Sequence, residues 1–358
     1  MADDLKKYTC DAMAGKEIHT SHVALRKARD QIKKSQLIIT TCIGAGVGLL
    51  RSESFDTVII DEASQQTEAT SLVPLVKGCQ KAILVGDHIQ LGATVQKHAV
   101  LQQFDISLFE RLYIQDPQDS ISSDSDSDPS PIARVMLDTQ YRMHECICKF
   151  SSSEFYEDKL RTGISGDTRP LPISRFPWPV VSTSSSQPDN SEKSRMVFVQ
   201  CSTMEYLGRK SKSNEGQAKL CLEVCKMLCT VEANDRDPKQ PTPTPQPPSI
   251  AVLTPYSEQV KLLKAKLSQF PNVEVSSIDG FQGREADIVV FVTVRCNAHY
   301  EIGFLKDLRR MNVALTRARS ALIVIGHQPT LTMGTADPES TAVWKRLISA
   351  LVEVKIEA

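Results

Sequence analysis

The stretch VIIDEASQ (58–65) decides the fold class of this chain. It begins with three apolar residues, and Asp61 and Glu62 follow them directly. A second apolar run, KAILV (81–85), ends in a similar way at Gly86-Asp87. Short uninterrupted apolar runs, separated by a helix-like segment at 67–77, are typical of parallel strands that are covered on both faces. The pattern therefore predicts an α/β fold built on parallel sheets.

The same alternation of strands and helices continues on both sides of this stretch. Before it, we predict a helix at 18–34 and a buried strand, LIITT, at 37–41, followed by a Gly-rich turn at 44–46. After it, the periodicity predicts strands at 133–138, 196–200, 250–254, 287–294 and 320–326. It also predicts helices at 141–151, 214–231, 256–269, 306–318 and 338–354.

Two α/β domains are expected because 358 residues are more than one core usually spans. We place a partial first domain at 1–114, an acidic, Ser-rich linker at 115–131, a second domain at 132–335 and a C-terminal helix at 336–358. Insertions near 174–194 and 232–249 interrupt the second domain, and the later one is Pro-rich. The linker lacks apolar periodicity, so we expect it to be disordered or a solvated loop. Any protein partners are expected to dock on the linker or on the Pro-rich insertion.

Composition narrows the class of protein. The 42 Lys and Arg residues balance 43 Asp and Glu residues, so any nucleic-acid surface must be a local patch. No run of about 18 apolar residues suggests a membrane span, and the first residues lack the apolar core of a secretory signal. The ten cysteines form no disulfide framework, and Cys221, Cys225 and Cys229 fit one buried helix stripe. We therefore expect reduced thiols, a cytoplasmic or nuclear location and no membrane partner.

Acids at the carboxyl end of a parallel strand suit nucleotide chemistry. Ligands of open α/β folds bind at that edge of the sheet. One carboxylate can hold Mg²⁺ and the next can orient or deprotonate an attacking water, although acids also begin many ordinary loops. The amide of Gln90, just after the second strand, could sense a γ-phosphate without neutralising the metal. The alternative for that segment is a plain turn closed by Gly86.

Arginines near the carboxyl end of the chain could complete such a site. Arg317 and Arg319 lie in RRMNVALTRARSALIVIG (309–326), on a predicted helix that leads into a buried strand. An arginine stabilises charge on a transferring phosphoryl group only if it reaches the nucleotide. The alternative for either residue is a surface charge on a helix.

Six segments of the chain occur in an order that one known family shares. They are VIIDEASQ (58–65), GDHIQLGATV (86–95), QYRMH (140–144), TPYSEQ (254–259), IDGFQGREADIVV (278–290) and NVALTRAR (312–319). In sequence and order they resemble the motifs of superfamily-1 helicases of the up-frameshift type. That family includes the nonsense-mediated-decay helicase, senataxin-like proteins and NFX-type zinc-finger helicases. The resemblance covers roughly residues 30–330.

The resemblance implies a catalytic apparatus for ATP hydrolysis. It implies two RecA-like domains of the P-loop NTPase class, with ATP and Mg²⁺ in the cleft between them. Asp61 would bind the metal, Glu62 would activate water and Gln90 would couple the γ-phosphate to the rest of the protein. Arg142 and Arg317 would be arginine fingers from the second domain.

The resemblance also implies further contacts to the nucleotide and to nucleic acid. The additional nucleotide-binding residues would be Gln65, Gly283, Glu285 and Arg319, of which Glu285 would contact the ribose. The residues near the nucleic-acid backbone would be Thr41, Thr254 and Ser277. The family translocates along single-stranded RNA or DNA, usually 5′ to 3′, and we favour RNA as the partner of this chain.

The phosphate-binding loop of that family is not found in the sequence. Such a loop has the form G-x-x-x-x-G-K-[ST] between a strand and a helix, but the one Gly-Lys pair, Gly15-Lys16, is followed by Glu17. We therefore expect the chain to begin inside the first RecA-like domain and to leave apolar edges exposed there. We also expect weak or no ATP hydrolysis by this chain alone, because the loop normally holds the phosphates.

Three interpretations fit this combination of motifs. The chain could be a helicase or translocase whose N-terminal portion is missing from the sequence. It could instead be a pseudo-enzyme that binds RNA or a partner protein without turnover, or a P-loop-related ATPase or switch that is not a helicase. The presence of Asp61, Glu62, Gln90, Arg142 and Arg317 favours the first interpretation.

Overall fold

The protein forms two compact units, Met1–Ala133 and Arg134–Ala358. The structure, a computed structural model, describes residues 7, 9, 12, 21–114, 132–172, 174–182, 191–208, 211–230 and 247–357. The predicted linker at 115–131 lies outside the described residues, as do most of the Pro-rich insertion and the middle of the insertion near 174–194.

Within its described residues, the first unit contains two strands and several helices. In chain order these are α1 (His22–Lys34), α2 (Cys42–Ala45), β1 (Thr57–Ile60), α3 (Glu68–Leu75), β2 (Lys81–Leu84), α4 (Lys97–Val100) and α5 (Leu108–Ile114). Helix α1 starts after Ser21, whose hydroxyl accepts a hydrogen bond from the backbone N–H of Ala24 at 3.4 Å. This side-chain cap satisfies one of the donors that the first turn leaves unpaired.

Strands β1 and β2 pair in parallel, as the sequence predicts, but only one face of the pair is covered. Val58 and Ile60 are buried and pack with Ala63. On the other face Ile59 and its partner Ile83 remain 64% and 39% exposed. The expectation of a sheet buried on both faces is therefore wrong for this unit.

The predicted strand LIITT at 37–41 does not form. Residues 36–41 carry no helix or strand, and the side chains of Leu37 and Ile39 are exposed. A strand requires a neighbour that completes its hydrogen bonds, and no described residue pairs with this segment. Thr41 instead begins α2, with its hydroxyl accepting from the N–H of Gly44 at 2.9 Å.

The second unit is built on a six-stranded parallel sheet. Its strands are β7 (Met196–Gln200), β10 (Ile250–Thr254), β11 (Val273–Ser277), β12 (Ala286–Val292), β13 (Ala318–Gly326) and β14 (Val352–Glu353). They lie side by side in the order β11-β10-β12-β13-β7-β14. Smaller two-stranded pairs are β3 (Thr139–Gln140) with β4 (Arg161–Thr162), β5 (Val180–Ser182) with β6 (Ser191–Lys193), and β8 (Tyr206–Leu207) with β9 (Lys212–Ser213).

Helices cover the six-stranded sheet on both faces. They are α6 (Glu145–Phe155), α7 (Glu215–Cys229), α8 (Ser257–Leu267), α9 (Leu308–Leu315), α10 (Gln328–Thr332) and α11 (Pro338–Ala350). Side chains alternate between the faces, so Val290 packs in the core formed with α7 and α8, while Phe291 contacts Trp344 of α11. Two of the predicted cysteines in the α7 stripe, Cys221 and Cys225, are fully buried in that core. The RecA-like α/β class that the motifs imply is thus confirmed.

Several predicted boundaries in this unit are wrong for local reasons. Segment 133–138 forms no strand, and α6 begins at Glu145 because the residues before it form a turn. Helix α9 ends at Leu315, so Arg317 lies in the turn before β13 and Arg319 lies within that strand rather than on a helix. The segment at 336–358 supplies both α11 and the edge strand β14, which pairs with β7. Among the described residues no helix is long and apolar enough to cross a bilayer.

A buried polar network holds the chain that leaves β12. Arg295 and Glu205 form an ion pair at 2.7 Å, with side chains only 3% and 7% exposed. Glu205 also accepts hydrogen bonds from Lys212 and from the N–H of Cys296. Beside them Val294 has a left-handed φ of 69°, a conformation that is strained for a β-branched residue.

The backbone at Val294 is held by two side chains from the start of α7. Gln217 Oε1 accepts the Val294 N–H at 2.7 Å, and Asn214 Nδ2 donates to the Val294 carbonyl at 3.0 Å. Asn214 also caps α7, because its Oδ1 accepts from the N–H of Gln217. The strained turn after β12 is therefore tied directly to the helix that covers the sheet.

Trp344→Ala should destabilise the second unit by about 3–5 kcal/mol, because it empties a fully buried site and removes the indole hydrogen bond to the Leu305 carbonyl. Urea unfolding monitored by circular dichroism would measure the change. The neighbouring exposed residue provides the control, and Lys345→Ala should leave the unfolding midpoint nearly unchanged. Equal stability of the two variants would contradict this account of the core.

Glu205→Gln should cost about 3–5 kcal/mol of unfolding free energy, because Arg295 would stay buried without its counter-charge. Glu223→Gln, which breaks a partly exposed pair with Lys226, should cost at most about 1 kcal/mol. Burial alone would raise the pKa of Glu205, but hydrogen bonds from Lys212 and Arg295 hold that pKa below its ordinary value of 4.5.

The pH dependence of this network has a definite sign. Because the folded-state pKa of Glu205 is depressed, its stabilisation is fully present above the ordinary carboxyl value and is lost as pH falls through the depressed pKa. The gap in unfolding free energy between the wild type and Glu205→Gln should therefore narrow below about pH 4.5. A gap that widened on acidification would show that the assignment is wrong.

Candidate functional site

The paired acids of the first unit lie where β1 ends. Glu62 adopts a left-handed φ of 51°, which turns the chain sharply into a 3-10 turn at Ala63–Gln65. Asp61 Oδ1 accepts the N–H of Glu62 at 3.0 Å, and Gln65 Nε2 donates to Glu62 Oε2 at 2.6 Å. Both acids are exposed. The turn thus presents two carboxylates to solvent, and Gln65 orients one of them.

The end of β2 is held against this turn. The Val85 N–H donates to the Ile60 carbonyl, and the Ala63 N–H donates to the Val85 carbonyl at 2.8 Å. Gly86 is required here, because a Cβ at that position would lie 2.9 Å from the backbone nitrogen of Ser64. The two strand ends are therefore in close register at one edge of the sheet.

Gln90 is fixed at the same edge by the acid that follows β2. Its Nε2 donates to Asp87 Oδ2 at 2.7 Å, and its N–H donates to the Asp87 carbonyl. The Asp87 N–H in turn donates to the hydroxyl of Ser64, which lies in the turn after the paired acids. The structure thus joins the segment that carries Gln90 to the turn that carries Asp61 and Glu62.

This arrangement fits a magnesium-assisted reaction. Mg²⁺ prefers hard oxygen ligands, keeps several waters and takes only one or two carboxylates besides phosphate oxygens. The exposed carboxylate of Asp61 meets that requirement. Within the described part of the chain, no cluster of three or more His, Cys, Asp or Glu side chains could hold a metal by itself. A single exposed carboxylate suits a cation that arrives with a phosphate ligand, because such a cation takes only one or two protein carboxylates.

In the second unit, a cluster of charges lies at the amino ends of β12 and β13. Arg142 Nε donates to Glu285 Oε2 at 2.7 Å, and its Nη1 donates to the Thr316 carbonyl at 3.1 Å. Arg319 approaches Glu285 at 3.6 Å and Asp287 at 3.5 Å. The structure thus brings together three predicted residues, Arg142, Glu285 and Arg319.

The backbone that carries Arg142 is fixed by two side chains for which the sequence suggested no role. Gln140 Oε1 accepts the N–H groups of Arg142 and Met143 at 2.8 and 2.7 Å. Arg169 donates to the carbonyls of Tyr141 and Arg142 at 2.9 and 2.8 Å. Gln140 belongs to the segment QYRMH, which could have drawn attention to it, whereas nothing local marks Arg169.

Arg317 lies in the same region but points inward. It is only 3% exposed, and it donates to the Val313 carbonyl and to the Thr316 hydroxyl, both at 3.1 Å. To touch a ligand it would have to leave these partners at the end of α9. Gly283 has a φ of 73°, so glycine permits the left-handed turn that precedes Glu285.

The predicted nucleic-acid residues of this unit lie at the opposite, carboxyl edge of the sheet. Thr254 ends β10 and Ser277 ends β11, and the two are paired in register. Thr254 is fully buried, and its hydroxyl has no hydrogen-bond partner among the described residues. Ser277 is half-buried and accepts from the N–H of Gly280 at 3.1 Å. Thr41, in the first unit, is exposed.

Helix α9 connects the two edges of this sheet. At its start, Arg310 donates to both carboxylate oxygens of Asp279, at 2.9 and 3.0 Å, two residues after Ser277. These hydrogen bonds raise the pKa of Arg310 above its ordinary value. Just beyond the end of α9, the Thr316 carbonyl accepts from Arg142. A rigid helix therefore links a loop at the carboxyl edge with the arginine cluster at the amino edge.

Family comparison agrees with this organisation. Residues 104–329, more than half of the chain, match a family model described as AAA domain, and residues 6–98 match a second model with the same description. The chain is similar to "Regulator of nonsense transcripts 1 homolog" of Neurospora crassa, with 33% identity over 91% of this chain and 27% of that protein. It is also similar to "ATP-dependent helicase upf1" of Schizosaccharomyces pombe, with 34% identity over 85% of this chain and 30% of that protein.

A more distant relative is "Helicase SEN1" of Saccharomyces cerevisiae, with 32% identity over 88% of this chain and 13% of that protein. The chain thus spans about a quarter of the length of the first relatives it matches. Among solved structures, an arterivirus helicase, nonstructural protein 10 with DNA, covers 91% of this chain and 55% of its own. Its TM-score is 0.33 at 12% identity, a level from which no conclusion follows.

The matched AAA-domain models, the six ordered motifs and the RecA-like parallel sheet agree with one another. The chain belongs to the superfamily-1 helicases of the up-frameshift type, a family of ATP-dependent helicases.

Proposed function

We propose that this chain carries out nucleotide-dependent translocation along single-stranded nucleic acid, with RNA favoured over DNA and with ATP and Mg²⁺ as cofactors. The observation that carries the proposal is the exposed pair Asp61 and Glu62 at the end of β1, with Glu62 oriented by Gln65 at 2.6 Å. The left-handed backbone of Glu62, with a φ of 51°, turns both carboxylates toward solvent at this strand end, where a ligand of an open α/β sheet would lie.

The groups of the first unit suit attack of water on a γ-phosphate. Mg²⁺, when bound with ATP, would neutralise charge that develops on the phosphates. Asp61 would hold the cation through its exposed carboxylate. Glu62 would accept the proton of the attacking water, and Gln65 would keep its carboxylate in place. Gln90, braced by Asp87, would contact the γ-phosphate through a neutral amide.

The groups of the second unit suit stabilisation of anionic charge and binding of the sugar. Arg142 would act as an arginine finger, because its backbone is already fixed by Gln140 and Arg169. Arg317 would serve the same purpose only after leaving its partners at the end of α9. Glu285 would accept from the ribose hydroxyls, with Gly283 and Arg319 beside it.

Nucleic acid would be held through small hydroxyl groups that contact the backbone without reading its sequence. Thr41 and Ser277 are accessible for such contacts, whereas Thr254 would first have to become exposed. The preference for RNA is supported by relatives whose names refer to nonsense transcripts. The nine described cysteines are free thiols, which supports a reducing location in the cytoplasm or the nucleus.

A second candidate function is binding of RNA or a partner protein without turnover. The observation that favours it is the lack of a G-x-x-x-x-G-K-[ST] segment in the 358 residues. The lysine and backbone amides of that loop normally hold the β- and γ-phosphates. We therefore expect weak ATP hydrolysis by this chain alone. The two candidate functions differ in whether RNA stimulates any ATP hydrolysis at all.

Glu62→Gln should abolish RNA-stimulated phosphate release, because an amide cannot accept the proton of the attacking water. Loss of a general base typically lowers a rate about 10²–10⁴-fold, so the residual rate should fall to background. Steady-state phosphate release with excess ATP, Mg²⁺ and a single-stranded RNA would measure it. An identical assay with single-stranded DNA would test the preference for RNA.

The matched control is Glu223→Gln, which makes the same chemical change at a partly exposed position of α7 and should keep the wild-type rate. A rate that survives Glu62→Gln would contradict the proposed role of this acid. Tight RNA binding with no RNA-dependent rate in the wild type would reject turnover by this chain and support the binding protein instead.

A further inference from the structure

We propose that the exposed basic face of α1 is a binding surface for the phosphate backbone of single-stranded nucleic acid. The inference rests on the proposed function, because it adds a contact surface for the same ligand. None of the residues concerned belongs to the six motifs, and the surface is defined by five side chains: Arg26, Lys27, Arg29, Lys33 and Lys34.

The basic side chains of α1 are gathered on one side of the helix. At about 100° per residue, the five cations fall within an arc of roughly 160°. The buried residues of the helix, Ala24, Ala28 and Ile32, lie on the opposite side. The face thus projects into solvent along the whole helix and carries five cations against a single acid, Asp30.

These cations have no carboxylate partner among the described residues. Basic side chains elsewhere in the chain often do, as in the pairs Arg111–Glu68 and Lys212–Glu205. Lys33 and Lys34 stabilise the carboxyl end of the helix through its dipole, but Arg26, Lys27 and Arg29 lie too far from that end for this role. In a chain of net charge −1, a basic face without carboxylate partners among the described residues is a local patch that suits a polyanionic ligand.

The basic face of α1 lies close in sequence to Thr41, which is predicted to contact the nucleic-acid backbone. Lys34 and Thr41 are seven residues apart, so they can be separated by at most about 25 Å. The connecting segment is itself solvent-accessible, since Leu37 and Ile39 are 75% and 87% exposed. A single-stranded nucleic acid that contacts the Thr41 hydroxyl can therefore extend onto the basic face of α1.

Removing three of the cations should weaken RNA binding and reduce its salt dependence. The variant Arg26→Gln/Lys27→Gln/Arg29→Gln keeps helix propensity and leaves the last turn intact. Each phosphate contact contributes about 0.7 to the slope of log affinity against log salt, so the slope should fall by about 2. At about 0.1 M salt the affinity should drop roughly tenfold or more. Fluorescence anisotropy of a labelled single-stranded RNA, titrated at several salt concentrations, measures both quantities.

The matched control removes three exposed lysines from helices of the second unit. Lys219→Gln/Lys226→Gln/Lys345→Gln has the same net charge as the α1 variant and should bind within about twofold of the wild type. If the triple α1 variant unfolds, Arg26→Gln alone should still lower the salt slope by about 0.7. Circular dichroism would confirm the fold of each variant.

The outcomes separate this inference from the proposed function. If the wild type binds RNA and the α1 variant binds equally well, the inference is wrong and the proposed function stands. If the wild type binds neither single-stranded RNA nor single-stranded DNA, both the inference and the proposed function are contradicted. Basic and apolar side chains together also attract anionic lipid, so binding to phosphatidylserine vesicles is measured in parallel. Loss of vesicle binding with unchanged RNA affinity would overturn the inference in favour of a lipid surface.

Discussion

The parallel direction of six strands is the constraint on which the second unit depends. Because every strand runs the same way, residues that precede strands gather at one edge and residues that follow strands gather at the other. Glu285 and Arg319 therefore meet Arg142 at the amino edge, while Thr254 and Ser277 pair at the carboxyl edge. Between two parallel strands the chain must return from the carboxyl edge of the sheet to the amino edge. Helix α9 makes this return between β12 and β13, and it links the residues at the two edges.

The connection from β12 to α9 begins with a turn that buried polar contacts hold in place. Gln217 and Asn214 fix the strained backbone of Val294, and the ion pair of Arg295 with Glu205 anchors the residues that follow. Buried charges cost free energy unless each is fully partnered, and here both partners also make further hydrogen bonds. The network therefore determines where the chain leaves the sheet on its way to α9.

In the described part of the first unit, a comparable arrangement rests on the paired strands β1 and β2. Its candidate catalytic residues depend on the close register of two strand ends, which Gly86 permits and the hydroxyl of Ser64 reinforces. One face of the pair stays exposed at Ile59 and Ile83. The geometry of the acids thus relies on local hydrogen bonds at the turn rather than on a core that encloses the sheet.

The sequence alone determined the α/β class, the central strands such as 250–254 and the acids at the end of β1, because long apolar runs and adjacent charges are local patterns. It failed at 37–41, where an apolar run finds no partner strand among the residues that the structure describes, and it missed β11, whose mixed polarity suits a sheet edge. Only the tertiary structure decided that Arg317 is buried and that Glu285 accepts a hydrogen bond from Arg142. It also decided which side chains position the loop that carries Arg142. The contact between Arg142 and Glu285 joins residues 143 positions apart, so no local pattern encodes it.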